Sequence, residues 1–321
     1  MPSVKPNSIS AVIVSYFTGP LLSRAIASLK AQPEITEILV VDNGNWDGAV
    51  AAAADATPGG APVHVIQGQG NVGFAKACNM GAEQAIGEAL LFLNPDAVMP
   101  AGGVRQLLAD VETLDQPWLV GAKLVDPDGP EQQGSRRATL TPWRAFVEAT
   151  KLYKFAPRHP YFRRFNLHAD LCPPTLSKVP TISGACFFVM RKDYFAIDGM
   201  DEQYFLHVED VDFCLRFGKA GGDVYFDPNV SVTHFKSSSR VNPMRVERRK
   251  TISMLRYFRT HFNREYPQPF HWLVWAALWS SFYAKYVNRT AARTVAMISF
   301  GANGGARFRR AREMAGRRLS R

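Results

Sequence analysis

The chain has 321 residues, 46% of them hydrophobic, which is enough to bury a sizeable core and excludes disorder as the default state. The net charge of +10 is uneven: Met1–Phe235 carries 19 Lys+Arg against 25 Asp+Glu, net −6, and Lys236–Arg321 carries 19 against 3, net +16. Cys78, Cys172, Cys186 and Cys214 are scattered without a C-x-x-C pair or zinc-finger spacing, which excludes a zinc ribbon and fits a reduced compartment.

The first residues, MPSVKPNSIS, contain no apolar h-region, so no secretory signal is expected. Ile9–Ser15 is a β-branched run of the kind buried on both faces of a sheet, and Leu21–Ala31 has helical periodicity. Ile35–Val41 is a second strand, ending in Asp42, Asn43 and Gly44; Asp47-Gly48 then precedes an Ala-rich helix. Val63–Ile66, a helix over Phe74–Ile86, and Ala89–Leu93 with Asn94, Pro95 and Asp96 behind it continue the alternation. Strand and helix in turn predict a parallel sheet with right-handed crossovers. Ligands of such sheets bind at the carboxyl ends of the strands, where Ser15, Tyr16, Asp42, Asn43, Asn71, Asn94 and Asp96 collect.

Gly68-Gln-Gly70-Asn-Val-Gly73 matches the dinucleotide fingerprint between a strand and a helix. It follows the third strand instead of the first, and the acidic residue due about 20 residues on is displaced to Asp96, so a dehydrogenase is a rival reading and not the leading one.

Gly121–Pro180, rich in Pro, Arg and aromatics, reads as irregular, acceptor-facing structure, with a turn at Asp126–Gly129 and a loop over Pro157–Phe165. Ile182–Met190 reads as one buried strand, followed by a helix over Lys192–Ile197. In YFLHVEDVDFCLR, Tyr204–Arg216, a helix starting near Glu209 would bury Val211, Cys214, Leu215 and Gly218. Glu209 and Asp210 would occupy its first turn, where unpaired N–H groups favour negative charge and keep both ionised. Asp212 and Arg216 form an i,i+4 ion pair. Gly221-Gly222 stops the helix, and strands over Asp223–Phe226 and Val230–His234 bring a histidine beside Lys236, Ser237, Ser238 and Ser239.

Taken together, IVSY (13–16), VVDNG (40–44), GNVGFAKACN (70–79), LFLNPD (91–96), SGACFFVMR (183–191), FLHVEDVDFCLR (205–216) and VTHFKSSSR (232–240) resemble family 2 glycosyltransferases of the GT-A fold, over roughly Ile9–Arg259. The N-x-D in place of D-x-D, the GN-x-GFA and the ED-x-D helix are most similar to bacterial rhamnosyltransferases. The resemblance implies an α/β fold with a Rossmann-like mixed, mostly parallel sheet flanked by helices. A catalytic domain over 1–240 would divide into a nucleotide-sugar half, 1–97, and an acceptor half, 98–240, with a basic helical region over 241–321.

The resemblance also assigns roles. Asp42 would hold the pyrimidine or ribose, with Ser15, Tyr16 and Asn43 at the base site, and Asn71, Gly73 and Lys76 near the sugar nucleotide. Asp96 and His234 would hold Mg²⁺ or Mn²⁺ on the donor diphosphate, and Asn94, neutral where an acid is usual, weakens that site. Asp210 would be the general base of an inverting transfer, with Glu209 the alternative. The reaction implied moves a sugar, L-rhamnose from dTDP-rhamnose or another sugar such as galactofuranose or N-acetylhexosamine from a UDP donor, onto a lipid-linked or polysaccharide acceptor of the cell envelope.

In the tail, Arg240–Arg264 reads as a basic helix, and Phe270–Val287 holds three Trp and four Phe or Tyr without an acid. It is at the short limit for a bilayer span and carries Ser280, Ser281 and Lys285, which predicts an interfacial helix on an anionic membrane surface. The densest aromatics sit apart from the Arg cluster at Arg307–Arg321, so nucleic acid is not an expected partner. The expected location is cytoplasmic, peripheral on the inner face of the membrane. A catalytically inactive membrane adaptor is the non-enzyme rival.

Overall fold

In a computed structural model, residues 5–156, 159–236 and 242–290 are described. The strands are β1 Ile9–Ser15, β2 Ile35–Asp42, β3 Val63–Ile66, β4 Ala89–Leu93, β5 Ala97–Val98, β6 Trp118–Val125, β7 Arg136–Arg137, β8 Ser177–Lys178, β9 Thr181–Ile182, β10 Cys186–Met190 and β11 Asp223–His234. The helices are α1 Leu21–Lys30, α2 Ala49–Asp55, α3 Phe74–Gln84, α4 Gly103–Val111, α5 Pro142–Thr150, α6 Arg191–Phe195, α7 Glu209–Lys219 and α8 Pro243–His261, followed by a helix over 268–290. Ser237–Ser239 and the Arg307–Arg321 cluster lie outside the described residues.

The main sheet runs β3-β2-β1-β4-β10-β6-β11-β5, with β8 also on β11 and a separate β7–β9 pair. β1 is parallel to β2 and β4, and β11 to β6, while β10 is antiparallel to both of its neighbours. The sheet is therefore mixed and mostly parallel.

β1 is buried along its whole length, and its side chains divide with period two. Ile9, Ala11 and Ile13 join a core with Leu22, Ile26 and Leu29 of α1 and Leu107 of α4, whereas Val12 and Val14 join a second core with α3, Tyr194 of α6 and Phe213 and Phe217 of α7. Each such aliphatic or aromatic side chain contributes about 1.5–3 kcal/mol on burial. Gly81 of α3 lets that helix lie directly on β1, since a Cβ there would meet Val12 Cγ1 at 2.5 Å.

Four expectations change. α5 and the part of β6 from Gly121 to Val125 are regular structure inside the stretch read as irregular. The run read as one strand over Ile182–Met190 is broken at residues 183–185 into β9 and β10. The two strands expected over 223–234 are one strand, β11, with a register shift between Asp227 and Ser231. In α7 the buried face is Val211, Phe213, Cys214 and Phe217; Gly218 is exposed and Leu215 half-buried, because the helix is covered on two sides.

The second side is a third core. Leu140 and Ala145 near α5, Tyr204, Val208 and Val211 at the start of α7, Tyr257 and Phe258 of α8, and Val274 and Leu278 of the last helix pack together. Asp212, buried below, locks this layer: Arg216 Nε donates to Oδ2 at 2.6 Å, as the spacing predicts, and His261 Nε2 of α8 lies 2.6 Å from Oδ1.

Candidate functional site

The carboxyl ends of β1, β2 and β4 meet the amino end of α7 and the last residue of β11. At β2, Asp42 Oδ1 accepts from Gly44 N (3.0 Å), Asn45 N (2.8 Å) and Asn45 Nδ2 (2.7 Å), folding the loop back on the strand. Ser15 is fully buried; its hydroxyl reaches Asn45 Oδ1 and Thr18, and its carbonyl accepts from Asn43 N and Asn45 Nδ2. Tyr16 lies half-buried against Gly44, its ring 3.4 Å from where a Cβ would be.

The Gly-rich run is tied to this loop. Asn43 Nδ2 donates to Gly73 O and to Asn71 Oδ1, and Asn43 Oδ1 accepts from Val72 N. Gly73 has φ 91° and lies so close to Phe205 that a Cβ would sit 2.8 Å from the Phe205 carbonyl, which accepts from Phe74 N at 2.9 Å. The glycine therefore seats α3 on the loop that leads into α7. Lys76 is half-exposed, 3.5 Å from Glu202.

A second cluster forms where β5 pairs with β11, His234 opposite Ala97, which brings His234 beside Asp96. Gln132, fully buried, donates through Nε2 to the His234 carbonyl and to Asp126 Oδ1 (2.7 Å), so its amide carbonyl faces His234 Nδ1 at 2.9 Å. That arrangement puts the imidazole proton on Nδ1 and leaves Nε2 as an acceptor. Nε2 receives Asn94 Nδ2 at 3.3 Å and faces Asp96 Oδ1 at 3.2 Å. Two acceptor atoms at that separation can share a cation. The distance is close to the edge of about 3 Å between neighbouring ligands of an octahedral ion with bonds near 2.1 Å. The cluster fits a divalent ion that takes two protein ligands and fills its remaining positions from elsewhere; among the described residues no group of three or more His, Cys, Asp or Glu supplies a full set.

Asp210 of α7 is linked to this cluster through the backbone of Gly184 and Ala185. His207 and Val208 both adopt left-handed backbone, φ 66° and 74°, a strained entry of the kind found at functional sites. Asp210 Oδ2 accepts from Gly184 N at 2.9 Å, and the next residue, Ala185, accepts Asn94 N through its carbonyl at 2.8 Å. The break between β9 and β10 is therefore the bridge between Asp210 and the Asn94–Asp96 turn. Asp210 also receives Arg137 Nη2 at 2.5 Å and Val211 N at 2.8 Å.

Burial would raise the Asp210 carboxyl, but the Arg137 charge and hydrogen bond, with the Gly184 and Val211 N–H groups, reverse this and hold it below the usual carboxylate value. Glu209 goes the other way. Burial first, then the adjacent Asp210 charge, push its carboxyl up, and its Oε2 has no hydrogen-bond partner among the described residues, so the helix N-terminus does not keep both acids ionised.

Of the residues named from the sequence, Ser15, Asp42, Asn43, Asn71 and Gly73 belong to one hydrogen-bonded loop cluster, Asn94, Asp96 and His234 to a second, Asp210 reaches the second through Gly184 and Ala185, and Lys76 contacts Glu202. Gln132, Arg137 and Arg249 are additions. Arg249 of α8 stacks with its Cζ 3.3 Å from the Phe205 ring centroid; burial draws its guanidinium pKa down while nearby Tyr16 opposes, which places α8 near the loops of Tyr16 and Phe205. The only signal in the sequence for these three was their place in a polar, Arg-rich stretch and a basic helix.

Residues 10–194 match the family model "Glycosyl transferase family 2", and the chain belongs to that family. It is a glycosyltransferase. It is 29% identical over 243 residues, 72% of this chain and 77% of the other, to the N-acetylglucosaminyl-diphospho-decaprenol L-rhamnosyltransferase of Mycobacterium tuberculosis. Among solved structures it resembles the mannosyltransferase PcManGT of Pyrobaculum calidifontis in complex with GDP-Man and Mn²⁺, at 16% identity and TM-score 0.52, over 94% of this chain and 81% of that one. It also resembles GalNAc-T7 with UDP, GalNAc and Mn²⁺, at 16% identity and TM-score 0.54, covering 77% of this chain and 47% of that one. The fold is of the GT-A type.

Proposed function

We propose that the protein transfers L-rhamnose from dTDP-rhamnose, with inversion, to a lipid-linked acceptor of cell-envelope glycan synthesis. The M. tuberculosis relative, named as an L-rhamnosyltransferase of N-acetylglucosaminyl-diphospho-decaprenol, supports the sugar and the acceptor class. The observation that carries the chemistry is the adjacency just described: Asp210 and the Asn94–Asp96 turn hang from the consecutive backbone groups Gly184 N–H and Ala185 C=O.

In this reading Asp42, Tyr16 and Asn43, with Ser15 behind them, form the nucleoside site; Asn71, Gly73 and Lys76 border the sugar nucleotide. Asp96 and His234 hold a divalent ion, with Asn94 beside them, and an imidazole in the set favours Mn²⁺ over Mg²⁺. When bound, that ion supplies charge neutralisation to the departing diphosphate. Asp210, kept ionised by Arg137, takes the proton of the acceptor hydroxyl as that oxygen forms a bond to C1 and the bond from C1 to the diphosphate breaks. Glu209, pushed toward its neutral form and buried, is the less suitable base.

The division into a catalytic part over 1–240 and a basic helical part over 241–321 belongs to the same proposal. Among the described residues no helix is long and apolar enough to cross a membrane. The helix over 268–290 exposes Trp272 at 70% and Trp275 at 55%, which supports peripheral attachment to an anionic inner leaflet. The test is release of dTDP from dTDP-rhamnose, compared with UDP-sugars, in the presence of Mn²⁺ and an N-acetylglucosaminyl-diphosphate lipid. Turnover with a UDP-sugar alone would overturn the donor assignment.

A further inference from the structure

Beside α5 the surface forms a cavity of about 640 Å³ lined by Thr141, Trp143, Arg144, Tyr161, Tyr266 and Phe270, together with two prolines. Its walls are aromatic and interlocked. The Trp143 ring lies 6.1 Å from Phe270 and 6.5 Å from Tyr161, and Tyr266 stacks on Phe270 at 5.4 Å. Trp143 Nε1 already donates to the Tyr161 carbonyl at 2.7 Å, so the indole offers apolar surface and not a donor.

The lining contains one charge and no acid. Arg144 is tied to the Thr139 carbonyl at 2.6 Å, and its guanidinium pKa is drawn down by burial and by the charge of Arg163 nearby, against an opposing effect of Tyr266. The closest acid along α5, Glu148, is occupied by Arg164 and by Phe165 N. Two neighbouring cations beside an aromatic trough, with no acid in the lining, complement an amphiphile with an anionic head and an apolar chain.

Two continuities say which amphiphile. At one end Phe270 belongs to the helix over 268–290, whose next turns expose Trp272, Leu273 and Trp275. At the other end Thr141 is four residues from Arg137, the residue that grips Asp210, so the two backbones are at most about 14 Å apart along the chain. The trough therefore borders an exposed apolar helix at one end and at the other lies within about 14 Å of chain from the backbone of the residue that holds Asp210. We infer that this cavity seats the prenyl diphosphate portion of a lipid-linked acceptor, its first isoprene units on Trp143 and Phe270 and its diphosphate beside Arg144 and Arg163. The inference rests on the acceptor class proposed above.

The test measures binding of farnesyl diphosphate to the full-length protein by calorimetry, with inorganic diphosphate and farnesol as separate probes, and the acceptor KM in the transfer assay. Farnesyl diphosphate should bind, and each half-probe at least about tenfold more weakly, because both parts of the cavity are needed. Trp143→Ala with Phe270→Ala, and separately Arg144→Gln, should each raise its Kd and the acceptor KM at least about tenfold while the donor KM stays unchanged, and Arg144→Gln, which removes no aromatic packing, should also keep the melting temperature. Unchanged Kd and acceptor KM in the folded Arg144→Gln variant, or equal binding of farnesol and farnesyl diphosphate, would overturn the inference while leaving the transferase reading standing. Loss of farnesyl diphosphate binding in the variants, in a protein that transfers no sugar to a prenyl-linked acceptor, would retain the cavity's ligand class and overturn the acceptor assignment instead.

Discussion

Arg137 Nη2 lies 2.5 Å from Asp210 Oδ2, and the same guanidinium is held from behind by the carbonyls of Gly134 (3.0 Å to Nε) and Ile182 (3.2 Å to Nη2). A cation fixed on two neutral anchors cannot swing away from the carboxylate without losing both. It holds the charge of Asp210 against burial, which alone would raise the carboxyl. Because Arg137 lowers the Asp210 pKa, the carboxylate proposed as the base stays ionised further into acid pH. Arg137→Met should therefore move the acid limb of kcat toward higher pH, and Arg137→Lys, which keeps the charge, should move it less. A pH profile of the two variants decides this; superimposable acid limbs would separate Arg137 from the base.

Gln132 fixes the His234 tautomer through Nδ1, so its loss should act on metal affinity and not on the nucleoside. Gln132→Met is expected to raise the Mn²⁺ concentration needed for tight dTDP binding by about 10–100-fold, the usual cost of removing a hydrogen bond behind a ligand histidine. Calorimetric titration of dTDP at several Mn²⁺ concentrations checks it, with dTMP as a comparison that depends less on the ion.

Asp212 is a structural acid. Burial would raise its carboxyl, but the His261 and Arg216 contacts lower it, so its stabilisation is present above the ordinary carboxylate range and is lost as pH falls through its depressed folded value. Asp212→Ala should cost about 3 kcal/mol at neutral pH, because it leaves Arg216 and His261 without their common partner. In urea unfolding the variant should also lose less stability than the wild type on acidification.

Much of this was legible in the chain. β1 and β2 announce themselves as largely β-branched, buried runs, β4 as the buried apolar run ALLFL and β3 as the short run VHVI between turns. β6 escaped because Gly121 interrupts its apolar run. The glycine is there for Ile182, whose Cβ would be 2.6 Å from a Cβ at 121. The break at 183–185 escaped for a related reason, since it is the Gly184 bond to Asp210 that turns the chain, and that partner is 26 residues away. Gln132 with His234 and Arg137 with Asp210 are separated by 102 and 73 residues, and no local pattern reports such pairings.

The helix over 268–290 makes a claim separable from catalysis. Trp272, Trp275 and Tyr283 changed together to Ser should weaken binding to anionic liposomes at every salt concentration, while raising salt should weaken the wild type only in part, since screening acts within about 8 Å at physiological ionic strength. Liposome flotation measures both. A wild type that floats with neither neutral nor anionic vesicles would contradict peripheral attachment.

The most direct measurement is single-turnover transfer from dTDP-rhamnose by Asp210→Asn and Glu209→Gln side by side, with dTDP affinity determined for each. Asp210→Asn should lose at least about a hundredfold in transfer rate, the low end of the contribution of a general base, with dTDP affinity nearly unchanged, and Glu209→Gln should lose much less. Asp210→Asn retaining more than about a tenth of the wild-type rate, with Glu209→Gln inactive, would contradict the account and move the proton to Glu209.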